Sequence, residues 1–224
     1  MSTILVIGAH PDDEVLGVGG TIAWHAERDD DVYVCILSEG ASAQYEDAGM
    51  IAVRREAASK AASILGVKES FYYDLPDSQM EDVPHLEINS ILEKLVTDLQ
   101  PSTVYTHFRL DTDRDHQRTY ESTMVATRPK VGACVRRVLC YEVPGQTHWF
   151  GATAETTFAP NVYIDIAPYL SRKLEAMACY QSEIGEFPFP RSLKAIETLA
   201  GWRGVSCGLV AAEAFVLVRE IVCE

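Results

Sequence analysis

Two short polar clusters carry the chemistry that this sequence can do. The first, Ala9-His-Pro-Asp-Asp-Glu14, directly follows a short apolar run. Within it, one imidazole and two carboxylates fall between His10 and Asp13. Pro11 stiffens the turn and restricts His10 to an extended conformation. Such a turn can aim His10 and Asp13 inward together while Asp12 approaches from another side. Histidine with a carboxylate begins the ligand set of a catalytic zinc, which takes three protein ligands and leaves a position for water. Asp12, Asp13 and Glu14 also suit a plain helix N-terminus, where acidic groups complement the dipole. A phosphate site is a weaker third reading. Gly17-x-Gly-Gly20 lies inside the following helix, beyond the acidic residues, and three carboxylates repel phosphate.

The second cluster, Thr106-His-Phe-Arg-Leu-Asp-Thr-Asp-Arg-Asp-His116, supplies His107, Asp111, Asp113, Asp115 and His116. A further histidine is what His10 and Asp13 lack. His116 is the better candidate, because Asp113 and Asp115 beside it can orient its ring. Alone, the segment also reads as an acidic solvated loop. Two such clusters at one rim of one sheet are much harder to obtain by chance.

The elements that must bring them together alternate in type. Thr3–Gly8 and Val32–Leu37 are apolar runs of the kind buried on both faces of a parallel sheet. Ser70–Tyr73 and Ser102–Thr106 read as two further strands. Helical patterns span Glu14 to Arg28 (despite three glycines), Ile51 to Leu65 and His85 to Leu99, the second closed by Gly66. This order predicts an α/β fold, a Rossmann-like, doubly wound, mostly parallel sheet whose ligands sit beyond the carboxyl ends of the strands. Both clusters directly follow strands, so they converge although about a hundred residues separate them. The second half is less regular, with strands expected at 135–141 and 161–166 and helices at 167–181 and 192–201. No repeat or linker interrupts the 224 residues, so a single domain with an irregular C-terminal part is expected.

Composition narrows the partners. Hydrophobic residues at 47% and charged residues at 23% are ordinary for a globular protein. A net charge of −14 argues against nucleic acid and anionic membranes, but not against a neutral or amino-sugar substrate. The six cysteines form no Cys-x-x-Cys pair and read as reduced thiols. Neither a signal peptide nor a membrane span is recognised, so the expected location is cytoplasmic. Oligomeric state is left open, and a homo-oligomer is compatible with the sequence.

Ala9-His-Pro-Asp-Asp-Glu14 together with Asp111-x-Asp-x-Asp-His116 resembles the PIG-L/LmbE-like family of zinc-dependent N-deacetylases. The resemblance continues through Arg54-Arg-Glu56, Asp77-Ser-Gln-Met80, Tyr141-Glu-Val-Pro144, Cys179-Tyr-Gln-Ser-Glu183 and Phe187-Pro-Phe-Pro-Arg191. It implies that His10, Asp13 and His116 hold Zn2+ and that Asp12 is the general base. It also implies that Arg54 and Asp77 hold the sugar, with Arg55 as the neighbouring alternative to Arg54. The implied reaction removes an N-acetyl group from an N-acetylglucosamine-type sugar or conjugate. One departure stands out: Asp113 occupies the place of a histidine that in many relatives stabilises the oxyanion or protonates the leaving amine. Asp113 is therefore expected to bind substrate hydroxyls or an amine, with Asp12 serving as base and then acid.

Two histidines and an aspartate would also accept iron or cobalt. The alternatives to sugar deacetylation are an amidase on a larger thiol or antibiotic conjugate and a non-catalytic sugar-binding module. Retention of Asp12 speaks against the module, since binding alone does not require that carboxylate. His148-Trp149 is expected in a loop, lining the pocket or packing. Tyr72, Tyr73 and Tyr141 read as core, and His25 and His85 as surface or capping residues. Glu213 and Arg203 are expected to be structural.

Overall fold

The structure is a computed structural model and describes residues 1–47 and 49–222. The chain runs β1 (Thr3–Gly8), α1 (Asp13–Ala26), β2 (Asp31–Ser38), α2 (Gly49–Leu65), β3 (Glu69–Leu75), α3 (His85–Leu99), β4 (Thr103–His107) and α4 (Arg114–Ala126). It continues with β5 (Arg137–Tyr141), the short α5 (Gln146–Trp149), β6 (Val162–Asp165), α6 (Leu170–Ala178), α7 (Leu193–Val205) and β7 (Ala212–Glu220). The sheet order is β3-β2-β1-β4-β5-β7-β6. The first five strands are mutually parallel, while β7 pairs antiparallel with both β5 and β6.

Alternation along β1 shows why the sheet is covered on both sides. Ile4 and Val6 join a core with Val15, Val18 and Ile22 of α1, the alanines of α2 and Met177 of α6. Leu5 and Ile7 face the other way, onto Leu92, Leu95 and Val96 of α3. Side chains of period two fed from both faces require the continuous apolar run that the sequence displays. The chain turns in opposite directions after β1 and β4, which are neighbours. The crevice beyond their carboxyl ends is the topological switch point, where ligands of such sheets bind.

The three glycines of α1 are close-approach positions. A Cβ on Gly17 would fall 2.2 Å from the Tyr141 ring of β5, and one on Gly20 would fall 2.7 Å from Ile166. They let α1 lie directly on the sheet, which anchors its N-terminus at the crevice.

The C-terminal half departs from the expected pattern in three ways, and His25 of α1 adds a fourth departure. No strand is expected after α7, yet β7 enters between β5 and β6. It is held to α1 by Glu213, which accepts from the backbone N–H groups of Gly20 and Thr21 and from Lys173 Nζ. The helix expected over 167–181 is shorter, because residues 167–169 form a 3-10 turn around Pro168. His148 and Trp149 lie in α5 rather than a loop. His25 is buried, bonded through Nδ1 to Asp30 at 2.8 Å and through Nε2 to the Tyr105 hydroxyl at 3.0 Å. The cysteines among the described residues are free thiols; Cys223 lies outside the described residues.

Candidate active site

The turn after β1 is locked from beneath. Arg54 of α2 is buried, and its guanidinium donates to the carbonyls of Gly40 and Pro11. Asp12 takes φ +123°, a conformation costly for a residue with a Cβ and kept only where surroundings over-determine it. Here the Asp12 N–H meets Glu14 Oε2 at 3.1 Å, and its carbonyl accepts the first bonds of α1 from Val15 and Leu16. The same turn presents the Asp13 carboxylate to His10 from below, with the His10 N–H on Asp13 Oδ2 at 2.8 Å.

Each of the two histidines faces outer carboxylates through one nitrogen and Asp13 through the other. His10 Nε2 lies 3.1 Å from Asp115 Oδ2 and 3.3 Å from Asp77 Oδ1. This leaves Nδ1, which is 3.5 Å from Asp13 Oδ2. His116 Nδ1 is 3.2 Å from Asp111 Oδ2, and its Nε2 is 3.5 Å from Asp13 Oδ1. Neither His116 Nε2 nor Asp13 Oδ1 has a hydrogen-bond partner, and both residues are fully buried. Buried polar atoms are left unpaired at a cost of about 1–3 kcal/mol each, so an orphaned pair facing one another calls for a third party. Ligand atoms of a tetrahedral zinc at about 2.0–2.1 Å stand about 3.3 Å apart, which is close to these separations. His10, Asp13 and His116 each bring one ligand atom into a group within 4.8 Å, and the donor set fits a divalent metal.

The charges agree with that fit. Burial raises the Asp13 carboxyl, but His116, His107 and His10 outweigh it and hold the group well below the usual carboxylate range. Burial lowers His10, yet hydrogen bonds to the carboxylates of Asp115, Asp13 and Asp77 carry it well above the ordinary imidazole value. Such a site is rich in acid and short of a cation. His107 stacks on His116 with ring centroids 3.8 Å apart. Burial and His116 depress its pKa, and its Nε2 accepts from the Ala9 N–H at 3.0 Å. It buttresses the ring beside it.

Asp12 is fully buried and split in function. Its Oδ2 accepts from Arg191 Nη1 at 3.0 Å, while Oδ1 has no hydrogen bond, with Arg54 Nη2 3.9 Å away. Burial pushes its pKa up to about 6 against the pull of Arg191 and Arg54. Of the three residues expected at the sugar, two are enclosed by protein. Arg54 is bound as described, and Asp77 lies against His10 with Oδ2 3.3 Å from the Ala43 N–H. Arg55 points outward to Asp74. Asp113 caps α4, accepting from the Asp115 N–H at 2.9 Å, and keeps a partly exposed edge, with Oδ2 3.9 Å from His116 Nε2.

The roles expected of the carboxylates around His116 need correction. Asp111 sits at His116 Nδ1, and Asp115 reaches across to His10 while accepting from the Ser78 and Met80 N–H groups. Sequence adjacency misleads because α4 turns Asp115 about a hundred degrees away from its neighbour His116. Arg191 and Gln146 went unrecognised as site residues. Arg191 Nη2 donates to Gln146 Oε1 at 3.1 Å, and Gln146 Nε2 donates to Asp113 Oδ2 at 3.0 Å. The aromatic turn ending at Arg191 was visible, but nothing local ties it to Asp12.

Fold and site together define a doubly wound α/β hydrolase with a His/Asp metal-type donor set at its switch point. The chain belongs to the PIG-L family: residues 5–127 match it under the description GlcNAc-PI de-N-acetylase. It is 30% identical over 188 residues to the uncharacterized deacetylase YaiS of Escherichia coli (strain K12), covering 80% of this chain and 90% of that one. It is 27% identical over 191 residues to a probable N-acetyl-alpha-D-glucosaminyl L-malate deacetylase 2 of Bacillus anthracis, covering 80% of each. Among solved structures it resembles GalB, the 4-carboxy-2-hydroxymuconate hydratase of Pseudomonas putida KT2440. The TM-score is 0.81 at 25% identity, over 100% of this chain and 99% of that one. The chain is a deacetylase of the amide-hydrolase type, and no described helix is long and apolar enough to cross a membrane.

Proposed function

We propose that this protein removes the N-acetyl group from an N-acetylglucosamine-type sugar or sugar conjugate, with Zn2+ held by His10, Asp13 and His116. The observation that carries this reading is the buried, unpartnered pair Asp13 Oδ1 and His116 Nε2, with Asp12 Oδ1 equally unpartnered nearby. A divalent metal there supplies Lewis acidity that activates water and polarises the acyl oxygen. Asp12 accepts the proton of the attacking water on Oδ1, its free oxygen, while Arg191 fixes the carboxylate through Oδ2. As the C–N bond breaks, Asp12 returns that proton to the departing amine. Acetate and a free amino sugar result, and atoms and charge balance.

In this scheme Arg54 and Asp77 position Asp12 and His10, and Asp113 offers its exposed carboxylate edge to a substrate hydroxyl or amine. The likeness to a hydratase supports a second reading, addition of water to a conjugated dicarboxylate. That substrate needs free cations for its carboxylates. Arg54 and Arg191 are already engaged with carbonyls and with Asp12 and Glu183, so deacetylation is the better match. The test is acetate release from N-acetylated sugars, before and after removing and restoring metal. Acetate release that chelation abolishes and Zn2+ restores is the expected result. Turnover of a conjugated dicarboxylate without acetate release would overturn it.

A further inference from the structure

Beside the metal-type cluster lies a cleft of about 320 Å³ that the reaction scheme leaves unused. Its walls are Trp149 of α5 and Phe189 of the 186–191 turn, which remain 63% and 43% exposed. Large aromatics left open to solvent around a concave site mark a candidate binding surface. They are also held in place. Gly145, at φ +92°, lets Trp149 and Pro190 approach to 3.2 Å of where its Cβ would stand. A Cβ on Gly185 would fall 2.4 Å from the Phe189 ring, so that ring rests on bare backbone. The cleft shares Arg191 and Gln146 with the site and so opens beside Asp12 and Asp113.

Its charge decides what it takes. Arg191 is the lone cation among the lining residues, and its Nη1 is spent on Asp12 Oδ2 and on Glu183 Oε2 at 3.1 Å. Its Nη2 is spent on Gln146. Arg54 stands 3.6 Å from Glu183 and 3.9 Å from Asp12, so two guanidiniums balance two carboxylates and a phosphate or carboxylate entering here meets no excess of positive charge. Neutral hydroxyl groups instead find the amide of Gln44 and the hydroxyl of Ser182 at the rim. We propose that this cleft is a subsite for a second, uncharged ring, a hexopyranose joined to the N-acetylated sugar and stacked on Trp149. It gives anionic aglycones no advantage. The proposal rests on the deacetylase reading and specifies its substrate as a neutral glycoside.

The experiment compares acetate release by the zinc-loaded enzyme from N-acetylglucosamine, N,N'-diacetylchitobiose, N-acetylglucosamine 1-phosphate and N-acetylglucosaminyl malate. An aromatic contact of this kind favours the disaccharide over the monosaccharide by about tenfold in kcat/KM, mostly through KM. The phosphate and malate conjugates gain nothing over the monosaccharide. Trp149→Ala brings the disaccharide-to-monosaccharide ratio to near one, whereas Trp202→Ala, on the exposed face of α7, leaves the ratio as it was. A second readout needs no turnover: N,N'-diacetylchitobiose added to the metal-free protein quenches tryptophan fluorescence in the parent and not in Trp149→Phe. Equal efficiencies for one ring and two, or preference for an anionic conjugate, overturn the subsite while leaving deacetylation intact. Absence of acetate from all four substrates, with no quenching, overturns both.

Discussion

Asp115 provides the sharpest check on how the metal site is held together. Its carboxylate is fully buried and accepts three donors: the His10 ring at 3.1 Å and the Ser78 N–H at 2.8 Å on Oδ2, and the Met80 N–H at 3.0 Å on Oδ1. Asp115→Asn keeps the shape but has one oxygen where three donors converge on two. Either the amide NH2 faces the His10 ring and Ser78, or it faces Met80. In both orientations a buried donor loses its acceptor, costing about 1–3 kcal/mol of folding stability. The negative charge that makes His10 Nδ1 a better ligand is lost as well. Removing a partner of that kind costs about 10–100-fold in metal affinity, or about 1.4–2.7 kcal/mol.

The assay is zinc titration against a competing chelator, run beside denaturant melts of the metal-free protein. Melts identify the folding penalty, and the chelator competition isolates the effect on the ligand. Zinc affinity within twofold of the parent would show that His10 needs no acid behind it. The division of its two nitrogens would then be wrong.

Three further outcomes follow from the same geometry. Asp12→Asn lowers kcat by about 10²–10⁴-fold with zinc content unchanged by elemental analysis; full activity with metal bound would remove Asp12 as the base. Gly17→Ala places a methyl 2.2 Å from a Tyr141 ring whose hydroxyl is bonded to the Ile7 carbonyl. The overlap exceeds the helix-propensity gain of about 1 kcal/mol and gives a net loss of about 1–3 kcal/mol in denaturant melts; a neutral result would mean the ring can move. His25 has its pKa lowered by burial, which outweighs the pull of Asp30. Between that lowered value and the ordinary 6.5 the unfolded chain binds more protons, so this contribution is intact above about pH 6.5 and falls as pH drops, by at most ~1.4 kcal/mol per pH unit. Stability against pH for His25→Gln, compared with the parent, measures it; identical slopes would refute it.

β1, β2, β4 and β5 were legible because each is an apolar run buried along most of its length, with β1 and its two-sided packing the clearest case, while β3 lies half-buried at the sheet edge. The metal-type donors were legible for a related reason. His10 and Asp13 share a turn that a single proline defines, and His116 follows a second strand. What stayed hidden is what depends on contacts between distant segments. β7 pairs antiparallel across β5 and β6, and nothing in residues 212–220 states which strands will receive it. Asp115 was assigned to the histidine beside it, when helix geometry carries it to the other one. Arg191 stands 179 residues from the carboxylate it binds.

That last contact bears on the missing histidine. Asp113 occupies a place where many relatives carry an imidazole, and a carboxylate there cannot stabilise negative charge. Its Oδ2 instead accepts from Gln146, whose carbonyl oxygen accepts from Arg191, whose guanidinium grips Asp12. The four groups form a continuous chain across the mouth of the site, from the cap of α4 to the base. A histidine at 113 could accept from Gln146 Nε2 only through an unprotonated ring nitrogen, and once protonated to act as an acid it would leave that N–H without its acceptor. The aspartate is thus matched to Gln146 and Arg191, and restoring the imaginary helper alone would break the line that aims Asp12. In the proposed reaction catalytic duty moves toward Asp12, whose Oδ1 makes no hydrogen bond.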